Sequence, residues 1–396
     1  MPHLPSDQSP NARPLVFPPV TKDHILNCSY DAWFPTYRTS CLKSSIIPLP
    51  PIVVSYLIED GIFLADEDSG FEGSKREEGG EEEEEWHTQP TAARKEESDS
   101  DSDSEPETPP VPPDERFPET HKLIADTIAE LGGAVVPKLN WSSPKDATWI
   151  SRHSNTLKCT SPNDIYLLLK SSIFISHDLS HAFDGCTAEA PSRPLTPVLV
   201  LRPFFTPHPA LEFRCFVKHR CLIGISQRDL NYYAFLSRLR PKIRQEIFNF
   251  FRRTLRRTFA DASFVFDVYV PEDPLAPEGL GKVRLMDINP WAPRTDSLLF
   301  SWEELLDAEV SSPLYGSAAG TREEDDVDDE EIGDVDADLE AVPELRIIER
   351  NDPAAFNFSG HQYSAHKMPR EVVEAGNLGE AGMREFAQRW RDLTGG

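Results

Sequence analysis

The chain has 396 residues and a formal net charge of −27, with 67 acidic side chains against 40 basic ones. This length can bury one large core or two ordinary ones, and the acidic balance argues against a general nucleic-acid-binding protein, which would carry a basic surface. The first residues lack the apolar segment of a signal peptide, and no run approaches the ~18 apolar residues of a membrane span. We therefore expect a cytoplasmic protein that binds neither nucleic acid nor membrane.

Acidic, low-complexity stretches divide the chain. Three segments bury too little apolar surface to offset the entropy of ordering, and they are predicted to be disordered. They are residues 1–21, 65–116 and 311–343. The other parts are predicted to be structured: an N-terminal element that packs on the core, the core itself, and a C-terminal tail whose short elements pack on the core or on a partner. They span residues 22–64, 117–310 and 344–396.

Apolar periodicity predicts the secondary structure. Helices are expected at residues 53–57, 120–131, 163–170, 238–257, 302–306, 368–375 and 382–393. Strands are expected from residue 134 and at residues 171–176, 197–201, 212–217, 221–229, 264–270, 283–290 and 345–349. The strands 212–217 and 221–229 are predicted to form one hairpin, and 264–270 and 283–290 another. The six cysteines contain no CxxC pair, so we expect reduced, mostly buried thiols.

Three of these helices have specific signals. In the basic segment 238–257 the apolar residues recur every four positions, which predicts an amphipathic helix with its arginines on the solvated face. These apolar residues are Ile243, Ile247, Phe251 and Leu255. The apolar residues of segment 120–131 are Leu123, Ile124, Ile128 and Leu131, followed by a Gly-Gly stop. Ser301 and Glu304 have the spacing of a capping box at the start of the last core helix.

Polar oxygen-bearing side chains interrupt the apolar strands 264–270 and 283–290. Asp287 and Asn289 are two residues apart and therefore share one face of their strand. In a hairpin, Asp267 would lie within roughly 5–8 Å of them. Two carboxylates and an amide are hard oxygen ligands, so their convergence predicts a magnesium site. The alternative is that these are edge-strand acids that face water.

Basic side chains are candidates to face the same site. Lys138 leaves a strand end, where an ammonium can reach a phosphate, although a solvated surface lysine is the ordinary alternative. Arg214 and Arg228 lie on the two strands of the other hairpin. Together with the oxygen ligands, these cations favour a bound nucleotide and its metal. The apolar run 197–201 is a buried strand whose end could offer backbone groups to a purine.

Several stretches closely resemble the cell division cycle protein 123 family. They are residues 137–142, 212–217, 224–229, 264–269, 287–290 and 295–305. The resemblance implies an α+β, ATP-grasp architecture, in which two lobes hold ATP and Mg²⁺ between them. It also implies a monomeric assembly chaperone that binds the gamma subunit of eukaryotic translation initiation factor 2 and so supports translation initiation and cell-cycle progression.

The resemblance assigns roles to individual residues. Lys138 would contact phosphate from the smaller lobe, with Trp141, Ser143 and Asp146 in the adjoining loop. The backbone of Val200 and Leu201 would contact adenine, followed by Arg202. Arg214 and Arg228 would neutralise phosphate charge, and Asp267, Asp287 and Asn289 would hold Mg²⁺. The family pattern has an acidic residue near Val198, so here the adenine contact would fall to backbone groups.

Two functions are compatible with this architecture. As a chaperone, the protein would use ATP to fix the orientation of its lobes and would hold the gamma subunit on a surface that includes Tyr30, Trp33, Phe34 and the C-terminal tail. As an ATP-dependent carboxylate ligase, it would form an acyl-phosphate and pass it to a nucleophile. No separate acyl-acceptor motif is present, which favours the chaperone.

Overall fold

The structure is a computed structural model that describes residues 16–65, 111–276, 279–310, 313–315 and 342–349. Its helices are α1 Lys22–Asn27, α2 Tyr30–Tyr37, α3 Pro51–Ile58, α4 Pro113–Arg116, α5 Pro118–Glu130, α6 Pro162–Lys170, α7 Ile173–Ser180, α8 Leu236–Phe250 and α9 Trp302–Asp307. Its strands are β1 Ser45–Pro48, β2 Val135–Lys138, β3 Val198–Pro203, β4 Glu212–Lys218, β5 Cys221–Gln227, β6 Phe264–Tyr269, β7 Arg284–Pro290 and β8 Glu344–Arg346. The expected α+β class is confirmed.

A three-stranded sheet, with the order β1-β3-β2, forms the smaller half of the molecule. All of its pairs are antiparallel, and β3 lies in the centre. Helices α3, α5, α6 and α7 bury their apolar side chains against this sheet in one cluster, which includes Ile124, Val135 and Ile165. Burial of each such side chain stabilises the fold by roughly 1.5–3 kcal/mol.

A five-stranded sheet, with the order β7-β6-β4-β5-β8, forms the larger half. Both predicted hairpins are confirmed, because β4 pairs with β5 and β6 pairs with β7, each antiparallel. The last strand, β8, pairs in parallel with β5. Helix α8 continues into a π-helical turn, Phe251–Leu255, and covers the sheet. The predicted apolar face is confirmed, since Ile243, Ile247, Phe251 and Leu255 are fully buried.

Two predictions about the layout of the chain are wrong in part. Residues 171–176 were expected to form a strand, but they lead into helix α7, because Ser172 caps its start by accepting from the Ile175 N–H. The helix predicted at residues 120–131 is confirmed as α5, in which Leu123 is 48% exposed and Thr120 and Thr127 turn inward. The segment predicted to be disordered, residues 65–116, was given too distant an end, because its last four residues form helix α4.

The aromatic cluster of α2 belongs to the core. Tyr30, Trp33 and Phe34 are only 1%, 3% and 5% exposed. The rings of Tyr30 and Phe34 stack with centroids 4.9 Å apart, and the helix packs beside β7. The expectation that these side chains form a partner-binding surface is therefore wrong. Aromatic residues on one face of a helix bury more apolar area against a sheet than they would at an exposed site.

Other predictions have mixed outcomes. The cysteines are free thiols, and all except the half-buried Cys186 are buried, as expected. Ser301 and Glu304 form the predicted capping box of α9. Within the described ranges, no helix combines the length and apolar character needed to cross a bilayer. The predicted helices 368–375 and 382–393, and most of the two acidic segments, lie outside the described residues.

Candidate functional site

A cavity of about 580 Å³ lies where the two sheets face each other. The smaller sheet contributes Lys138 at the end of β2 and Arg202 at the end of β3. The larger sheet contributes side chains from three adjacent strands. These side chains are Arg214 of β4, Asp267 of β6, and Asp287 and Asn289 of β7. The structure thus brings together the predicted oxygen ligands and the predicted cations.

Asp267 is the centre of the ionic network in the larger sheet. It is 3% exposed, and Arg214 donates to both of its oxygens, at 2.8 Å from Nε and 2.9 Å from Nη2. Arg228 Nε lies 3.4 Å from Oδ2, and the Asn289 amide donates to the same oxygen at 3.4 Å. Burial alone would raise the pKa of Asp267, but Arg214 and Arg228 lower this pKa well below its usual range. Asp267 is therefore ionised under all ordinary conditions.

Asp267 and Asp287 face each other across the β6–β7 pair. Asp287 accepts a hydrogen bond from Lys138 Nζ at 2.7 Å, and its side chain is 22% exposed. Lys138 itself is only 2% exposed, so the alternative of a solvated surface lysine is wrong. Desolvation lowers the pKa of Lys138, and Asp287 opposes this shift. This ion pair links the two sheets through the cavity.

The ring of Tyr30 forms a floor beneath two cations. Lys138 Nζ lies 5.0 Å from the ring centroid, and the Arg202 guanidinium carbon lies 4.8 Å from it. Such positions are favourable because the face of an aromatic ring is electronegative. Arg202 also donates to the Met286 carbonyl at 2.8 Å, but its buried Nε has no hydrogen-bond partner among the described residues. An acceptor that enters the cavity would satisfy this donor.

Lys145 is a cavity residue that sequence reasoning missed. It begins a 3₁₀ helix, Lys145–Ile150, and its side chain is accessible within the cavity. The nearby Arg228, together with the surrounding protein, lowers the pKa of Lys145 to about 8. Only its place in a polar loop after the Lys138 strand could have indicated it. An anion between these two cations would relieve their repulsion.

The loop after β2 is held in place by Asp178 of α7. Asp178 accepts from the backbone N–H of Ser142 at 2.8 Å and of Trp141 at 3.2 Å, and from the Ser142 hydroxyl at 2.8 Å. Burial raises the pKa of this carboxyl to about 6. Trp141 also donates from its indole to the Ile25 carbonyl at 3.0 Å. Trp141 and Ser143 line the cavity, as predicted.

Three predicted site residues do not reach the cavity. The Asp146 carboxylate accepts from the Ser172 hydroxyl at 2.6 Å and from the Ile173 N–H at 2.7 Å, so it fixes the start of α7. Val200 and Leu201 are fully buried in β3, which has β1 on one side and β2 on the other. Their backbone lies between two strand partners, and an adenine contact through them stays a prediction. The end of β3 and the residues that follow it, 202–207, line the cavity instead.

The lining of the cavity has an excess of positive charge although the chain is strongly acidic. Its cations are Lys138, Lys145, Arg202, Arg214 and Arg228, and its anions are Glu212, Asp267 and Asp287. The residues fit a polyphosphate, because Arg202 Nε has no hydrogen-bond partner among the described residues and because the repulsion of Lys145 by Arg228 is only partly offset by Glu212 and Asp267. The described residues contain no cluster of three His, Cys, Asp or Glu side chains that could hold a metal by itself. Asp267, Asp287 and Asn289 fit Mg²⁺ only together with further oxygen ligands, such as phosphate.

Comparisons with known proteins identify close relatives. The profile of the D123 family matches residues 33–376. The protein called translation initiation factor eIF2 assembly protein of Sclerotinia sclerotiorum is 51% identical over 396 residues, with 96% of this chain and 90% of that protein covered. Cell division cycle protein 123 of Aspergillus terreus is 43% identical, with 99% and 96% covered. The solved structure of Cdc123 from Schizosaccharomyces pombe is 34% identical, has a TM-score of 0.57, and covers 84% of this chain and 100% of its own.

Proposed function

Because the chain belongs to the D123 family, we propose that it is an ATP- and Mg²⁺-binding factor that promotes the assembly of eukaryotic translation initiation factor 2. Relatives that align over nearly the whole chain are named for assembly of this factor. The proposal places ATP in the cavity between the two sheets, in an ATP-grasp arrangement. The gamma subunit is the proposed direct partner.

The excess of basic side chains in the lining of the cavity is the main support for the proposal that ATP binds there. Five basic side chains face three acidic ones there. ATP with one Mg²⁺ has a net charge of about −2, so it would neutralise the lining. Arg214 and Arg228 are held by Asp267 and have little freedom to turn away, which makes them suitable for orienting phosphates. A bare anion of lower charge would leave part of the lining uncompensated.

Asp267, Asp287 and Asn289 are the proposed residues for Mg²⁺. The ion would supply charge neutralisation for the phosphates. Of the two carboxylates, Asp287 is the more accessible, and its partner Lys138 could turn toward a phosphate. Asp267 is nearly enclosed between two arginines and mainly keeps those arginines in place. Asp287 is therefore the better residue to substitute.

Nucleotide binding has a mechanical consequence for the protein. Lys138 and Arg202 come from the smaller sheet, whereas Arg214 and Asp287 come from the larger one. A polyphosphate held by both sets would fix the two sheets relative to each other, and with them any surface that both sheets build. The partner surface must lie away from the aromatic cluster of α2, because that cluster is buried.

The substitution Asp287→Ala tests the proposal. We expect at least a tenfold loss of ATP–Mg²⁺ affinity, weaker co-purification of the gamma subunit, and less assembled initiation factor in cells that depend on the variant. Asp126→Ala is a matched control, because Asp126 is an exposed acid that pairs with Lys122 on the surface of α5. Unchanged affinity of a folded Asp287→Ala protein would contradict the site. Stoichiometric consumption of ATP with a covalently modified partner would favour the ligase.

A further inference from the structure

Helix α8 and its π-helical continuation carry a basic surface on a strongly acidic protein. Residues 236–257 contain eight basic side chains and one acidic one, Glu246. The basic residues are Arg238, Arg240, Lys242, Arg244, Arg252, Arg253, Arg256 and Arg257. Because the apolar face of the helix is buried against the larger sheet, most of this charge lies on the outer side. The cavity described above is on another part of the sheet and does not include any of these residues.

Three of the arginines form a row along one flank of the helix. Arg240, Arg244 and Arg252 belong to one series of positions spaced four apart, with Phe248 between them. The Arg252 guanidinium carbon lies 5.8 Å from the Phe248 ring centroid. We call Arg240, Arg244 and Arg252 the basic row. The guanidinium of Arg244 makes no hydrogen bond or ion pair to any residue that the structure describes.

The residues on either side of segment 316–341 lie near opposite ends of this helix. After the segment, Leu345 and Glu349 contact Arg240 near the N-terminal end of α8: Arg240 donates to the Leu345 carbonyl and lies 3.7 Å from the Glu349 carboxylate. Before the segment, the Leu314 N–H donates to the His219 carbonyl at 2.9 Å. The Tyr315 ring also contacts the His219 ring, with centroids 4.7 Å apart.

His219 lies beside the C-terminal end of the helix. Its neighbour Arg220 donates to the carbonyls of Arg256 and Phe259, each at 2.9 Å. Residues 316–341 must therefore connect the C-terminal end of the helix to Arg240, about 15 residues away and so roughly 22 Å along the axis. A connection of 26 residues can span up to about 86 Å. Its length therefore allows it to follow the helix.

The connecting segment has the opposite charge. Residues 316–341 contain twelve acidic side chains and one basic one, Arg322. We infer that the acidic segment, residues 323–340, docks antiparallel along the basic row of α8. The docked segment would shield this surface from other polyanions. Individual exposed ion pairs contribute only about 0.2–1 kcal/mol, but the tether gives the segment a high effective concentration at the helix.

A peptide-competition experiment tests this inference. In one variant of the full chain, residues 321–340 are replaced by a Gly-Ser stretch of equal length, and a fluorescent peptide of residues 321–341 is added. At low salt the replaced chain should bind the peptide saturably, and the intact chain at least tenfold more weakly because its own segment competes. Binding should weaken steeply as salt is raised, because exposed charges are screened. Equal binding by the two chains would overturn the inference.

Charge reversal locates the docking surface. In the replaced chain, the double substitution Arg244→Glu and Arg252→Glu should lower peptide affinity by at least tenfold. The matched double substitution Lys43→Glu and Lys122→Glu changes the same charge at exposed positions beside the smaller sheet and should leave affinity within about twofold. Equal losses in the two double variants would overturn the inference, as would tighter binding of a peptide from the other acidic segment, residues 96–107.

Covalent coupling tests contact with the row directly. Zero-length carbodiimide coupling joins an amine to a carboxylate that touches it, and the conservative substitution Arg244→Lys places an amine on the basic row. Mass spectrometry of the coupled variant should find residue 244 joined to residues within 323–340. Coupling of residue 244 only to carboxylates outside this segment, or to none, would overturn the inference.

Discussion

Raising the pH should weaken ATP binding because Lys145 loses its proton within an accessible range. Its pKa is lowered to about 8 in the free protein, against an ordinary value of 10.5. Phosphates beside the ammonium would stabilise its charged form and return the pKa toward the ordinary value. The protonated lysine binds phosphate more tightly than the neutral one, so affinity should be greatest below pH 8 and should fall as the pH rises through this value.

The size of the effect follows from the two pKa values. If the pKa in the complex is restored fully, the affinity at pH 9 is at most about tenfold lower than at pH 7, and binding at pH 9 takes up at most roughly 0.9 proton. Solvent screening of this exposed lysine makes both effects smaller. Isothermal titration calorimetry with ATP and excess Mg²⁺ measures both quantities when it is repeated in buffers of different ionisation enthalpy. The comparison requires only wild-type protein at pH 7, 8 and 9.

Two variants of Lys145 serve as controls. Lys145→Arg keeps the charge at all these pH values, so its affinity should stay nearly constant from pH 7 to 9. Lys145→Met removes the charge and should bind weakly throughout. A wild-type affinity that does not change with pH, together with no proton uptake, would refute the placement of phosphate beside Lys145.

Two further predictions concern the stability of the larger sheet. Asp267→Asn leaves Arg214 and Arg228 without their buried counter-charge, so the free energy of unfolding should fall by about 3–5 kcal/mol in denaturant titration; a loss below about 1 kcal/mol would contradict this account. Gly224→Ala places a methyl group 2.8 Å from the Phe300 ring and should cost about 1–3 kcal/mol, part of which Phe300→Leu should restore. No recovery in the double variant would show that this contact is not the cause.

Local patterns were sufficient to predict the centre of the site. The apolar strands around Asp267 and Asp287, and the turn between them, determine a hairpin, and the hairpin places the two carboxylates opposite each other. Strand alternation then puts Asn289 on the same side. The amphipathic helix α8 was equally predictable, because its apolar period alone selects the buried face.

The features that could not be predicted depend on contacts between residues far apart in the sequence. Val200 and Leu201 form a recognisable buried strand, but its central position depends on β1, which comes about 150 residues earlier in the chain. Lys145 is an ordinary lysine in a polar loop until the fold brings it near Arg228. Segment 171–176 is a short apolar run, and such a run does not distinguish a strand from a helix. The hydrogen bond from the Ile173 N–H to Asp146 stabilises this segment as the start of helix α7.

The most direct test of the proposed function is an experimental structure of the full chain with ATP and Mg²⁺. The phosphates should lie in the cavity between the two sheets, within hydrogen-bonding distance of Arg214 and Lys138. The metal should contact Asp287. Nucleotide bound elsewhere on the protein, or phosphates in the cavity with no metal at Asp287, would contradict the proposed function.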